Sequence, residues 1–474
     1  MRYIMHKKYE QTVACEVAVF GGGVSGVAAA VAAARQGARV LLIEREDFLG
    51  GAAVSGLGLL GFQDRKGNPI IGGIAQEIVD RLYELHGSLG HNPCPILNSL
   101  TPINAALMRL LFFQLCEEAG VMLLLGCLPV EVTIQADRIH QVSVCGKGCL
   151  FSIEAQVFID ATGDGDLCAL AQLPFEKGEP DGELQPASLI FAVSGINKEQ
   201  LLKYVEEHPE EVETPEGYEM TLEPSFFRTV DGYNLLGLEK CIKEAKLNGD
   251  YRNIPRDQFS LITHPNDDTT IINNTRLIHF DGTDLKQLSD GTLEAFRQVE
   301  ELVHFMPRYL PGYAHCSLSF IAPTLGIRES RHFLGRRRLL HTDVYSGLIP
   351  ADTVALCGYN VDIHHGRDKN SELYIVQQAY GIPYGCMLPE QLKGLLFTGR
   401  LICTDRIAFG SCRIMSTCLA LGQAAGTAAA LCIQEKCSPD EIQTESLCNL
   451  LKQNGAILTI SQEEDIDAYT ETAV

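Results

Sequence analysis

One hexapeptide constrains this chain more than any other stretch: Gly21-Gly22-Gly23-Val24-Ser25-Gly26. The string G-x-G-x-x-G is weak alone and gains meaning from its surroundings. Val17 to Phe20 is a short apolar run suited to a buried strand. Val24 to Arg35 is mostly Ala and Val, Gly37 ends it, and Ala38 to Ile43 is a second apolar run closed by Glu44. This predicts strand, glycine turn, helix, strand within about 30 residues, the βαβ unit of an α/β fold. Gly21 permits the tight turn. Gly23 lets backbone N–H groups reach a pyrophosphate at the positive helix end, and Gly26 lets helix and strand pack closely. Glu44 is placed to accept hydrogen bonds from the ribose of an adenosine without a 2′-phosphate.

Composition narrows the class. A chain of 474 residues suggests two or three domains. The 38 Lys+Arg against 60 Asp+Glu give a net charge of −22, which argues against non-specific nucleic-acid binding yet allows a local basic pocket for a small anion. The 17 cysteines run from Cys15 to Cys448 without a Cys-x-x-Cys pair. They read as reduced, mostly buried thiols of a cytoplasmic protein with no zinc or iron–sulfur framework, so no metal is expected. No transmembrane span is expected, because the apolar region Val13 to Ile43 is broken by Glu16, Arg35 and Arg39. His6, Lys7 and Lys8 have no apolar core behind them, so a secretory signal is not expected either.

Further along, Ile74, Ile78, Leu82 and Leu85 recur at helical spacing, as do Ile103, Leu107, Leu111 and Leu115. Val121 to Leu125 reads as a strand, and three short strands near 129–135, 138–145 and 149–154 form a β-meander. Val157 to Ile159 is an apolar strand running into Asp160-Ala161-Thr162-Gly163-Asp164-Gly165-Asp166. Glu206 to Glu219, rich in Glu and Pro, reads as a solvated loop. Leu395 to Thr398 is another short strand, and Thr417 to Leu431 an Ala-rich helix. The expected fold is α/β: a Rossmann-like FAD-binding domain (parallel sheet plus β-meander) made from both chain ends, with an inserted α+β substrate domain. The expected division is 14–175 and 385–450 for the first, 176–384 for the second, and 451–474 as a C-terminal extension. A second match to the glycine string, Gly56-Leu57-Gly58-Leu59-Leu60-Gly61, lacks a preceding strand and reads as a mobile segment.

These segments resemble the FAD-dependent oxidoreductases of the glutathione-reductase-like fold. More narrowly, they resemble the bacterial FAD-dependent oxidoreductase family distantly similar to fumarate reductase flavoproteins. The resemblance is carried by Val17–Gly26 with Glu44-Arg45, by Leu49-Gly50-Gly51, and by Pro69-Ile70-Ile71-Gly72-Gly73. Ile159 to Asp166, Thr324-Leu325-Gly326-Ile327-Arg328-Glu329-Ser330-Arg331 and Tyr380-Gly381-Ile382-Pro383-Tyr384 continue it. It ends with Gly399-Arg400, Gly410-Ser411, Arg413 and the stretch from Met415 to Gly422-Gln423-Ala424-Ala425-Gly426. The resemblance implies FAD, with Gly21, Gly23, Ser25 and Gly26 at the pyrophosphate and Glu44-Arg45 at the adenosine ribose. It implies Gly50-Gly51 along the flavin side, Val130 at the adenine, and Ala161, Thr162, Gly163 and Asp164 closing over the dinucleotide. Gly399, Arg400 and the helix near Thr417 would reach the flavin, where a helix N-terminus stabilises the anion of the reduced ring. Members often carry His between Gly-Arg and Gly-Ser; here Arg406 stands there. Residues 50–60 contain no cysteine, so a flavin–dithiol relay is not expected.

On the substrate side, Arg328 and Arg331 lie three apart, on one face if helical. Arg413 follows Gly410-Ser411, and His364-His365 follow Asp362. Guanidinium forks suit carboxylates, and His can move the proton that accompanies hydride transfer. Arg328, His364 and Arg413 are therefore the catalytic candidates. Arg336-Arg337-Arg338 reads as a solvated face, Tyr380 and Tyr384 as packing residues, and Asn273-Asn274 with Arg276 as a polar cluster outside the site. The reading is an FAD enzyme transferring a hydride between flavin N5 and a small, possibly carboxylate-bearing, molecule, with an unknown electron donor or acceptor as partner. The alternatives are an NAD-linked dehydrogenase, or a flavin-binding electron-transfer or regulatory subunit without its own substrate.

Overall fold

The computed structural model of the chain describes residues 11–213, 222–369 and 371–460. At its centre is a five-stranded sheet ordered Leu395–Phe397, Val157–Asp160, Val17–Phe20, Val40–Glu44, Met122–Leu125, with every pairing parallel. Val19 sits opposite Ile159 on one side and Leu42 on the other. Alternation along these strands divides two cores. Val17, Val19, Val40 and Leu42 face the helices, whereas Ala18, Phe20, Leu41 and Ile43 face a second sheet. Burial on both faces explains why these strands read as unbroken apolar runs.

The second sheet is the expected meander, Leu128–Gln135, Arg138–Gly146 and Cys149–Glu154, joined by Gln11–Ala14 running parallel to its last strand. The other face of the parallel sheet carries helix Val24–Arg35 and, across it, helix Met415–Glu435. Their backbones nearly touch: a Cβ on Gly422 would lie 2.1 Å from the Ser25 carbonyl oxygen, and one on Gly426 2.0 Å from that of Ala29. The small-residue composition of both helices thus joins the two chain ends. Met415–Glu435 is also, among the described residues, long and apolar enough to cross a membrane; it is a core helix here, with 89% of its most apolar window buried.

Between these end segments lies an antiparallel sheet ordered Asn234–Gly237, Phe259–Thr263, Thr269–Ile272, Phe191–Ser194, Ser317–Ile321. Helix Leu285–Tyr309 packs on it through Val299, Leu302 and Phe305, the last edge-on to Tyr251 and tilted against Phe259. The architecture is thus a Rossmann-like parallel sheet with a meander, carrying an additional α+β portion.

Several expectations need correction. Gly56 to Gly61 is no loose segment: Leu59–Leu60 pairs with Asn98–Thr101, and Gly61 packs on Ile414. Glu206–Glu207 end a helix, Lys198–Glu207, and Glu211 is buried because its carboxylate receives the Lys240 N–H; 214–221 lie outside the described residues. Arg336 is exposed and Arg337 and Arg338 partly buried, and this face carries ion pairs to Asp440, Asp352 and Glu176 rather than free charges. The stretch from Thr324 to Ser330 is not helical, so Arg328 and Arg331 do not share a face: Arg331 opens the strand Arg331–Phe333 and donates to the Asp164 carbonyl. The boundary placed at 450 falls inside helix Thr444–Gln453. Residues 1–10, in which no secretory signal is expected, and the end of the extension, 461–474, lie outside the described residues.

Candidate functional site

A cavity of ≈ 1010 Å³ opens at the carboxyl ends of the parallel strands and is roofed by the antiparallel sheet. In open α/β sheets this is the edge where ligands bind, since successive strands leave loops and helix N-termini there. Gly21, Glu44, Ala161 and Thr398, each at the end of a different parallel strand, all line it.

The glycine turn is built as the motif requires. Gly21 takes φ +99°, and a Cβ there would meet the Ala161 carbonyl oxygen at 2.4 Å. Gly26 is packed beneath the Gly21 carbonyl and does not itself line the cavity. Gly23, the N-cap of helix Val24–Arg35, has open space where a Cβ would stand. The Glu44 carboxylate accepts from the backbone N–H of Gly22 and, at 2.9 Å, from that of Glu46, which fixes it at the cavity rim beside Arg45. Gly51 lines the cavity; Gly50 does not, being packed on Val54 and Phe112 while its N–H binds the Gly22 carbonyl at 2.7 Å.

Opposite stands the Asp160–Asp166 loop. Buried Asp160 accepts from the Thr162 N–H and hydroxyl and from the Cys168 N–H, so the loop is tied from within, and its carboxyl is raised by burial. Ala161, Thr162, Gly163 and Asp164 line the cavity. Asp164 Oδ1 accepts from Ser330 Oγ at 2.9 Å and from Arg400 Nη2 at 3.2 Å. Gly399 and Arg400 line the same wall, and Arg400 Nη1 is buried without a hydrogen-bond partner among the described residues. Two expected contacts are not brought there. Val130 lies on the half-exposed first meander strand, away from the cavity. Thr417 is buried in the first turn of Met415–Glu435, its hydroxyl without a partner among the described residues.

At the other end, Arg328, Asp362, His364 and Arg413 come together with Arg256. Arg413 Nη2 donates to the Asp362 carbonyl at 2.9 Å and to its carboxylate at 3.1 Å. Arg328 Nη1 donates to the Pro186 carbonyl and to Ser188 Oγ, leaving its Nε and Nη2 without an acceptor among the described residues. Arg256 Nη1 binds the Asn273 carbonyl at 2.8 Å. The three guanidinium groups therefore outnumber the cavity carboxylates beside them, Asp362 and, next to Arg256, Glu213. Burial, then repulsion from Arg413 and Arg276, pushes Arg328 down to about 9. Burial opposes ionisation of Asp362, but His364, Arg413 and Arg328 bring its carboxyl below the usual carboxylate range.

His364 has both ring nitrogens engaged. Its Nδ1 faces Arg276 Nη1 at 3.2 Å and its Nε2 faces Asp362 Oδ1 at 3.2 Å. A guanidinium can only donate, so Nδ1 accepts and Nε2–H points to the carboxylate, which is the neutral tautomer. Burial lowers its pKa to about 4, consistent with that assignment. His365 pairs instead with Glu372. Tyr380 and Tyr384 are buried and bonded to Ser411 Oγ and the Pro439 carbonyl. Arg406 lies off the cavity, held by Glu179 at 2.9 Å and buried Glu329 at 3.3 Å.

Sequence reasoning passed over Arg256, Asn234, Gln258 and Ser260, and left Asn273 outside the site; all five line the cavity. The available signal was polar residues at alternate positions of otherwise buried strands. Of the Asn273-Asn274-Arg276 cluster, Asn274 supports the Ser260 N–H and the Tyr251 hydroxyl, and Arg276 fixes His364.

Fold and rim together define a dinucleotide-binding oxidoreductase. The chain belongs to the FAD dependent oxidoreductase family, whose sequence profile matches residues 16–451. It is an FAD-dependent enzyme, and no nicotinamide-only reading is needed. Among curated proteins none matches it. Solved structures similar to it include a geranylgeranyl bacteriochlorophyll reductase-like protein from Thermoplasma acidophilum, at 11% identity and TM-score 0.46, covering 94% of this chain and 85% of that one. A flavin-dependent brominase gives 10% and 0.46, covering 93% and 83%. A p-nitrophenol 4-monooxygenase from Pseudomonas putida gives 11% and 0.44, covering 94% and 81%. The residues present fit FAD: an open glycine turn at a helix N-terminus, an acid at the adjoining strand end, and a buried guanidinium nitrogen on the same cavity wall with no acceptor among the described residues.

Proposed function

We propose that this enzyme exchanges a hydride with a small carboxylate-bearing molecule held between the parallel and antiparallel sheets. Bound FAD supplies the hydride chemistry at its N5 atom. Gly21, Gly23 and Ser25 would hold its pyrophosphate, Glu44 with Arg45 its ribose, and Gly51, Ala161 to Asp164, Gly399 and Arg400 its length. The narrower likeness, to the glutathione-reductase-like fold and distantly to fumarate reductase flavoproteins, is part of the same proposal. So are the division into domains and a cytoplasmic location.

One observation carries the substrate reading: the excess of guanidinium over carboxylate in a largely buried corner. Buried like charges are costly until a counter-charge arrives. A carboxylate beside Arg328 and Arg413 supplies it, and Arg328 Nε and Nη2 offer a free fork for it. His364, with both nitrogens occupied, acts here as a positioning residue. It holds Asp362, and through Asp362 it holds Arg413.

The test is Arg328→Ala against Arg328→Lys in the FAD-loaded protein, screened anaerobically with small carboxylates. Arg328→Ala keeps its flavin and loses carboxylate binding by about tenfold or more, while Lys restores part of it. Unchanged carboxylate affinity in Arg328→Ala would remove the anion site from this reading.

A further inference from the structure

The roof of the cavity shows a second pattern, and its meaning rests on the anion site just proposed. Along the antiparallel sheet the cavity-lining residues alternate: Asn234 with Leu236, and Gln258 with Ser260 and Ile262. This is the period of a strand showing one face, so one side of the sheet is the wall. Register places Leu236 opposite Ser260 and Asn234 opposite Ile262, and Asn273 extends the next strand at its end. Side chains on this wall are carboxamides and a hydroxyl set among aliphatic groups, with the Glu213 carboxylate at its edge, where the Glu213 N–H bonds the Leu236 carbonyl.

Hydrogen-bonding capacity is left over there. The Asn273 carboxamide makes no hydrogen bond among the described residues, and its Oδ1 is buried. Asn234 accepts only from Ser260 Oγ, at 3.4 Å, and its NH₂ has no acceptor among the described residues. Buried polar groups without partners are uncommon in folded proteins, and each asks for one. The wall is close to the anion corner, since Arg256 reaches from the cluster to the Asn273 carbonyl at 2.8 Å.

We infer that Asn273 and Asn234, backed by Ser260, receive a hydroxyl group of the substrate, which makes the substrate a hydroxylated carboxylate. A carboxamide both gives and accepts, as a hydroxyl does, whereas a charged group would call for a charged partner. The aliphatic neighbours Leu236 and Ile262 take the carbon chain between the two polar ends.

The experiment is calorimetric binding to the FAD-loaded protein with two pairs matched in chain length: glycerate against propionate, and gluconate against hexanoate. In at least one pair the hydroxylated member binds the unaltered protein at least about tenfold more tightly, because a site built for a hydroxyl rejects its deoxy analogue strongly. In Asn273→Leu that ratio falls to within about twofold, with melting temperature unchanged because Asn273 makes no internal side-chain bond. Equal binding in both pairs, or a ratio that survives in Asn273→Leu and Asn234→Leu, overturns the inference and leaves the anion site standing. Binding that ignores Arg328→Ala overturns the anion site, and this inference with it.

Discussion

Ser25 Oγ and Thr398 Oγ1 stand 3.0 Å apart, both buried, across 373 positions of sequence. The first belongs to the glycine turn and the second ends the last strand of the parallel sheet, so this bond fastens the two chain ends at the cavity. Thr398→Val keeps the shape and leaves the Ser25 hydroxyl unpaired, at about 1–2 kcal/mol. Urea unfolding of the two single variants and of Ser25→Ala/Thr398→Val checks this. The double variant is less destabilised than the singles add up to.

Gly23 and Gly426 separate binding from folding. A Cβ on Gly23 meets nothing, at a cavity-lining position with an ordinary φ of −70°, so Gly23→Val folds normally and loses FAD. A Cβ on Gly426 would sit 2.0 Å from the Ala29 carbonyl oxygen, so Gly426→Ala forces the two long helices apart. Melting of the cofactor-free proteins, beside flavin absorbance after purification, tells them apart. A Gly23→Val protein that stays yellow contradicts the cofactor placement.

His364 gives the molecule an acid-sensitive corner. Its folded pKa, about 4, lies below its ordinary value, so between these values the unfolded chain binds a proton that the folded chain does not. Stability is therefore full above about pH 6.5 and declines as pH falls toward about 4, by up to about 3 kcal/mol. Asp362, also depressed, adds to the loss at the acid end. Urea midpoints between neutral pH and pH 4.5 measure it, and His364→Gln flattens the upper part of that slope.

Arg406 lies off the cavity and braces a buried acid. Its removal leaves Glu329, fully buried, with the Gln185 N–H and His332 Nε2 as its hydrogen-bond neighbours. Arg406→Ala lowers stability by about 2 kcal/mol or more while leaving the bound-flavin spectrum unchanged. A shifted flavin spectrum with unchanged stability would show that this position reaches the cofactor after all.

What could be read from the chain follows from where local pattern suffices. The βαβ unit from Val17 to Glu44, the helices over Ile74–Glu84 and Ala105–Ala119, and the three meander strands stand where apolar spacing puts them. The glycine rim of the cavity was legible because specific glycines announce its turns. Arg328 and Arg413 were picked by residue type, and the structure brings both to the cavity. The pairing of His364 was not legible, since nothing local shows that Arg276 and Asp362 occupy both its nitrogens.

By itself the sequence determined the parallel-sheet unit, its glycine turn and its cofactor class, because strand and helix periods and glycine positions act over a few residues. Only the tertiary structure decided that Arg256, Arg328 and Arg413 converge on Asp362, and that Asn234 and Asn273 share one wall. Those meetings depend on strand order and register across long loops, which residue spacing does not encode.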